Sequence, residues 1–299
     1  MPTQPFTLPG SELDLADPAV VADLLRRTAH ANRADPARRG CCAYVDAPAH
    51  LLMTGDLHDN TRGLMQAVKL AKLGKSPQRK IVLHEIIHGP SRINGMDLSI
   101  RTLARACAVK LAYPEQVYML LSNHELAQRR QEHVFKDGGS DVDAFNDGLD
   151  HLFGDEAGDV HAAFDEYVDS LLLAVRCGNG VLCAHSLPGS RKIEVFDPGV
   201  LERALTEEDY ASPDGAAHLM VWGRHQTKKV ATELANAWGV ETFLLGHQPA
   251  DMGWEEMAHN GLILASDHEH ACALPVDLEA QLDRDELAQY IVPLGAVRV

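Results

Sequence analysis

The residues Ile81-Val82-Leu83-His84-Glu85-Ile86-Ile87-His88-Gly89-Pro90 can be read in two incompatible ways, and the fold depends on which holds. Taken alone they spell His-Glu-x-x-His, in which two histidines four apart share a helical face, bind zinc and leave the glutamate to activate water, as in a metalloprotease. Ser76-Pro77 would then be an N-cap with proline at the first helical position, and Val82, Leu83, Ile86 and Ile87 the apolar face. Against it, the run is short, rich in β-branched residues, preceded by Gln78-Arg79-Lys80 and stopped by Gly89-Pro90, as a strand feeding a loop would be. The rest of the chain arbitrates.

Working outward, His50 to Asp56 reads as a short buried strand and Asn60 to Leu73 as a helix closed by Gly74. Ile81 to Ile87 is then a second strand, Asp97 to Ala112 a helix, and Gln116 to Leu121 a third strand running into Ser122-Asn123-His124-Glu125. Upstream, Asp17-Pro18 starts a helix reaching about Asn32. Downstream, Val160 to Arg176 reads as an amphipathic helix and Gly180 to His185 as a strand. Ala217 to Trp222 and Val240 to Gly246 read as two more strands, with the helix Lys229 to Ala237 between them. Gly261 to His268 and Cys272 to Leu278 add two strands, and Pro275 suggests an edge position for the second. Alternating strands and helices argue an α/β architecture with parallel strands. A helical extension over 1–45 is expected to pack on a domain over 46–299, in which the glycine- and aspartate-rich stretch 135–159 is a mobile insert.

With 45% hydrophobic and 23% charged residues, a chain of 299 residues can bury a full core. A formal charge of -16 argues against nucleic acid or an anionic membrane as partner, although an acidic protein still binds phosphate where metals reverse the local sign. The opening Met1 to Thr7 is polar, no run is long enough to span a bilayer, and the six cysteines show no Cys-x-x-Cys spacing. A reduced, cytoplasmic setting is the expectation. Oligomeric state is not legible.

The informative regularity is positional. Nearly every apolar strand ends in a residue that can bind metal: Asp56 and His58, Glu85, Asn123 and His124, His185, and His247. In α/β sheets the carboxyl ends of the strands are where ligands bind, so residues far apart in sequence would converge there. Oxygen donors mixed with imidazole suit manganese, iron or zinc, and a shared carboxylate suits a centre of two divalent metal ions.

Gly55-Asp56-Leu57-His58, Glu85, Asn123-His124-Glu125, Ala184-His185-Ser186 and Gly246-His247-Gln248 resemble, in order, the motif series of calcineurin-like metallophosphoesterases, closest to the serine/threonine phosphoprotein phosphatase branch. The resemblance spans about residues 50 to 278 and implies a central β-sandwich of mixed sheets flanked by helices. It implies that Asp56 and His58 hold one metal, that Asn123, His185 and His247 hold the other, and that Glu85 bridges them. His124 would protonate the leaving oxygen, and Arg224, after Trp222, would bind phosphate. The implied reaction is direct hydrolysis of a phosphate monoester by a hydroxide bridging two cations, manganese first, with iron or zinc as alternatives. The implied partner is a phosphorylated protein or small molecule.

The second motif departs most. The family pattern Gly-Asp-x-x-Asp-Arg-Gly has as its counterpart His84-Glu85-Ile86-Ile87-His88-Gly89-Pro90. Glu85 replaces the bridging aspartate, His88 stands where an aspartate orients the catalytic histidine, and Gly89 replaces an arginine for which Arg92, Arg129 or Arg130 could substitute. Three rivals follow: a zinc protease, a hydrolase of nucleotides or dinucleoside polyphosphates, and a non-catalytic metal-binding relative used as a binding or regulatory module. The protease reading leaves Asp56, His58, Asn123, His124, His185 and His247 unexplained.

Overall fold

The computed structural model describes residues 6–299 apart from 134, 137 and 138, so the opening Met1 to Pro5 and part of the expected insert lie outside the described residues. Asp17 and Pro18 start the first helix as their chemistry dictates, the Asp17 carboxylate accepting from the Ala19 N–H and proline occupying the first turn. This helix, α1 (Pro18–Arg33), is followed by β1 (Arg38–Arg39), β2 (Cys42–Val45), β3 (His50–Thr54), α2 (Thr61–Ala71) and β4 (Arg79–His84). Next come α3 (Ile100–Ala112), β5 (Val117–Leu120), α4 (Asn123–Arg130), the paired β6 (Phe135–Lys136) and β7 (Gly139–Ser140), α5 (Asp141–Phe153) and α6 (Ala157–Val168). Strands β8 (Ala174–Cys177) and β9 (Val181–Ala184) precede helices α7 (Glu207–Tyr210), α8 (Ala216–Trp222) and α9 (Lys228–Trp238). The chain continues through β10 (Thr242–Leu245), β11 (Trp254–Met257), β12 (Gly261–Leu264), β13 (Cys272–Asp277), α10 (Arg284–Ala288) and β14 (Val292–Pro293).

Two mixed sheets result. One has the order β14-β13-β3-β4-β5, with β3, β4 and β5 parallel; the other has the order β1-β2-β8-β9-β10-β12-β11, with β9, β10 and β12 parallel. Leu51, Met53, Val82, Tyr118 and Leu120 of the first pack against Val175, Cys183, Leu244, Leu262 and Leu264 of the second. The alternate residues, among them Leu52, Ile81, Leu83, Met119, Leu182 and Phe243, face the helices. Central strands are therefore buried on both faces, which is why they read as unbroken apolar runs rather than alternating ones. Outside the sandwich, α1 packs on α6 and α3.

The decisive decapeptide is not helical. β4 ends at His84, and Glu85 and His88 adopt left-handed φ values of 47° and 59°, which an α-helix excludes, so the helical zinc reading falls. Three other expectations are corrected. Ala217 to Trp222 is the helix α8, not a strand; its buried Ala217, Leu219, Met220 and Val221 form a run too short for periodicity to separate the two. The helix expected to reach Arg176 stops at Val168, and Ala174–Cys177 is a strand lying parallel to β2. Both of these adjacent strands are only four residues long and were absent from the sequence reading. Pro275 is an edge residue only locally: β13 lies between β3 and β14, but β14 pairs no further than Ala273, leaving Pro275 exposed. Much of the stretch 135–159 is occupied by the helix α5, whose Val142, Phe145 and Leu149 are buried.

Candidate metal centre

The carboxyl ends of β3, β4 and β5 and those of β9, β10 and β12 open on one crevice. A parallel bridge between Asp56 and Ala265 joins the end of β3 to that of β12, and a Cβ on Gly55 would stand 2.2 Å from the Leu264 carbonyl oxygen, so only glycine permits this approach. The turns after β3 and β4 are laced together, the Leu57 and His58 N–H groups donating to the Glu85 carbonyl at 2.9 and 2.8 Å. Glu125 braces the same turn: its Oε1 accepts from the Ile86 N–H at 2.8 Å, and Ser122 Oγ donates to its Oε2. His58, Glu85, His88 and His247 all have left-handed φ, between 41° and 69°. Four non-glycine residues in this sparsely populated region, each costing of the order of 1–3 kcal/mol, are tolerated where the surroundings over-determine a site.

All the expected ligands meet here. Glu85 Oε1 lies 2.9 Å from His58 Nε2 and 3.5 Å from His124 Nε2, while Glu85 Oε2 lies 3.0 Å from His185 Nε2. Asn123 Oδ1 stands 2.7 Å from His185 Nε2 and 2.8 Å from His247 Nδ1. Asp56 Oδ2 accepts from the His247 N–H at 2.7 Å, and Asp56 Oδ1 lies 3.3 Å from His84 Nδ1 and 3.5 Å from His185 Nδ1. Asp56, Glu85, Asn123, His124, His185 and His247 are all buried.

Tautomers follow from the backbone acceptors, because a carbonyl can only accept. His58 donates Nδ1–H to the Ile87 carbonyl at 3.2 Å, so its Nε2 carries a lone pair toward Glu85 Oε1. His84 donates Nε2–H to the Thr54 carbonyl at 3.0 Å, leaving Nδ1 to accept from His185 Nδ1–H at 3.0 Å; His185 Nε2 is then also a lone pair, aimed at Glu85 Oε2. Two lone-pair nitrogens within 3.0 Å of one carboxylate require a cation between them, a proton or a metal ion. Among the described residues, Asp56 Oδ1 and Glu85 Oε2 are buried polar atoms without a hydrogen-bond partner, as donors awaiting a cation are. The residues present therefore fit divalent metal.

Electrostatics divides the two carboxylates. Burial and then the neighbouring Glu85 push Asp56 from 3.8 up to about 7. Burial opposes ionisation of Glu85 as well, but with a proton as the cation the positive charges of His185, His58 and His124 outweigh it and hold Glu85 well below the usual carboxylate range. Burial and then His185 push His247 well below its usual range and His84 down to about 3.

His124 is backed by His88, whose Nδ1 lies 2.8 Å from His124 Nδ1. Arg224 donates Nε to His247 Nε2 at 3.1 Å and lines a crevice of about 440 Å³ together with Asp56, Glu85, His124 and Trp222. Arg129 and Arg130 do not reach it, being paired with Asp169 and Glu207 and with Glu132; Arg92 pairs with Asp141 beside His58 and His88. A larger cavity of about 690 Å³ near Phe6, Leu8 and Tyr113 contains none of these groups.

Three members were missed by the sequence reading. His84 figured as a zinc ligand of the rejected helical reading and as the counterpart of a glycine, yet it holds His185. Gln128, which accepts from His88, carries no signal at all. Asp141, with Oδ2 3.8 Å from His124 Nδ1, comes from the stretch read as an insert; with His88 and His124 it forms a further group whose atoms are close enough to hold a cation.

No protein-family model matches the chain, and no curated protein matches it. Solved structures do. A protein serine/threonine phosphatase from Saccharomyces cerevisiae, with similarity to human phosphatase PP5, superposes with a TM-score of 0.65 at 14% identity, over 87% of this chain and 83% of that one. A cold-active protein-tyrosine phosphatase of a psychrophile, Shewanella sp., does so with a TM-score of 0.56 at 14% identity, over 78% and 77%. With its two mixed sheets and flanking helices, this chain has the calcineurin-like metallophosphoesterase fold.

Proposed function

We propose that the chain is a metal-dependent phosphoesterase that hydrolyses phosphate monoesters, with two divalent cations held by Asp56, His58, Glu85, Asn123, His185 and His247. The observation that carries this reading is the Glu85 carboxylate, which turns one oxygen to the His58 Nε2 lone pair and the other to that of His185. Glu85 would bridge, with Asp56 and His58 holding one cation and Asn123, His185 and His247 the other. Cations there, manganese before iron or zinc, would supply a water nucleophile at neutral pH and offset phosphoryl charge.

The chain's own groups do the rest. His124 turns Nε2 to the crevice beside Glu85, where an imidazolium can give its proton to the departing oxygen, and His88 holds the ring from behind. Arg224 is exposed on the crevice wall, and its terminal nitrogens suit two phosphoryl oxygens. A phosphorylated protein or small molecule is the substrate class. A net charge of -16 disfavours nucleic acid and membrane, no described helix is long and apolar enough to cross a membrane, and six free, buried cysteines suit a cytoplasmic setting.

The test is elemental analysis of purified protein together with turnover of an aryl phosphate in added manganese. We expect about two metals per chain, with turnover lost in Asp56→Asn. Fewer than about one metal per chain, with no turnover above that variant, sinks the reading.

A further inference from the structure

We propose that a chain of three carboxamides, Gln131, Asn146 and Gln128, sets the tautomers of His88 and His124 and so positions the proton of the acid assigned above; the catalytic part of this inference rests on that assignment. The polarity is fixed at one end by a backbone carbonyl. Gln131 Nε2 lies 2.7 Å from the Gln128 carbonyl oxygen, which can only accept, so Gln131 must present its Oε1 to Asn146 Nδ2 at 2.8 Å. Asn146 then has Oδ1 left for Gln128 Nε2, at 2.7 Å, and Gln128 has Oε1 left for His88 Nε2, at 3.0 Å. His88 therefore carries its proton on Nε2. Its Nδ1 is a lone pair that accepts Nδ1–H from His124 at 2.8 Å.

Inverting any amide would bring two oxygens or two N–H groups face to face at hydrogen-bond distance, so the order propagates along the whole chain. His88 is held in place: its backbone N–H donates to Ser99 Oγ at 3.1 Å, and its ring meets Phe145 edge-on with centroids 5.6 Å apart. Asp141 Oδ2, at 3.8 Å from His124 Nδ1, is too far to take that hydrogen instead. With Nδ1–H committed to His88, the exchangeable proton of His124 sits on Nε2, the atom 3.5 Å from Glu85 Oε1. In the reaction the Nε2–H bond breaks, its proton goes to the departing oxygen, and the ring is left neutral with Nδ1–H still on His88. No proton passes to His88, which acts as a neutral acceptor where a carboxylate would otherwise stand. Asn146 and Phe145 lie on α5, so this helix reaches the centre through an amide as well as through Asp141 at its start.

The experiment uses the full chain, labelled with ¹⁵N-histidine and freed of metal by chelation, and reads tautomers from long-range ¹H–¹⁵N correlations. We expect His88 protonated on Nε2 and His124 protonated on Nδ1. Asn146→Ala frees Gln128 to rotate and should give mixed tautomers at both histidines, with kcat down roughly tenfold and KM nearly unchanged, within the range a positioned acid contributes. Gln128→Glu parts the link to Asn146 Oδ1 but offers His88 an acceptor whichever way it turns, and should retain the wild-type tautomers, whereas Gln128→Met should lose them. His88 protonated on Nδ1 in the wild type overturns the proposal, as do unchanged tautomers in Asn146→Ala or equal losses in Gln128→Glu and Gln128→Met. Tautomers as stated in a protein without turnover support the relay and sink the enzymatic reading alone.

Discussion

Asp56 offers the sharpest contest between function and stability. Its carboxylate is buried beside Glu85, which together push it from 3.8 to about 7 in the folded chain without metal. A carboxyl harder to ionise when folded than when unfolded costs no stability below its unfolded value, and an increasing amount as pH rises toward its folded one. The difference converts to about 4 kcal/mol above pH 7 as a ceiling. Because Glu85 shares the same field, we expect roughly half of it. Asp56→Asn keeps an oxygen for the His247 N–H, so it removes the charge with little change of shape. Urea unfolding in chelator should therefore find the variant more stable than wild type by about 2–4 kcal/mol near pH 8, with the gain vanishing near pH 4. Manganese at about a thousand times its Kd should reverse the order, since it returns roughly 4.1 kcal/mol to the protein that binds it. A metal-free variant less stable than wild type near pH 8, or a gain independent of pH, would refute the argument.

Glu85→Gln should lower metal content by at least one ion per chain in elemental analysis, because a neutral amide offers only one oxygen where His58 and His185 face two; unchanged content means Glu85 is no bridge. Gly246→Ala places a Cβ 2.1 Å from Asp56 Oδ1 and 2.4 Å from His84 Cε1, so Asp56 must move. Its metal affinity, followed calorimetrically, should fall about 10–100-fold, as when a ligand's support is disturbed. Arg224→Ala should leave metal content intact and lower kcat/KM on an aryl phosphate by roughly tenfold or more, in keeping with loss of a charge-assisted hydrogen bond.

Apolar strand runs and strand-end chemistry were legible in the sequence because both are local: each run delivers its own terminal candidate ligand, as β3 does Asp56 and β10 does His247. The order of those ligands sufficed to point to the fold and to the residues that converge. What a window of residues cannot contain is which backbone a side chain will meet. Ala217 to Trp222 could be a strand or a helix until its packing against α4 and α7 settled it, and β2 and β8 are recognisable as strands only beside each other. The protonation pattern belongs wholly to the tertiary structure. Whether His58 and His185 present lone pairs to Glu85 depends on the Ile87 and Thr54 carbonyls and on His84, a residue 101 positions from His185. The decapeptide Ile81 to Pro90 supplied a strand, a carboxylate and two histidines; the sheets around it decided that the carboxylate faces two imidazoles and that each histidine orients another.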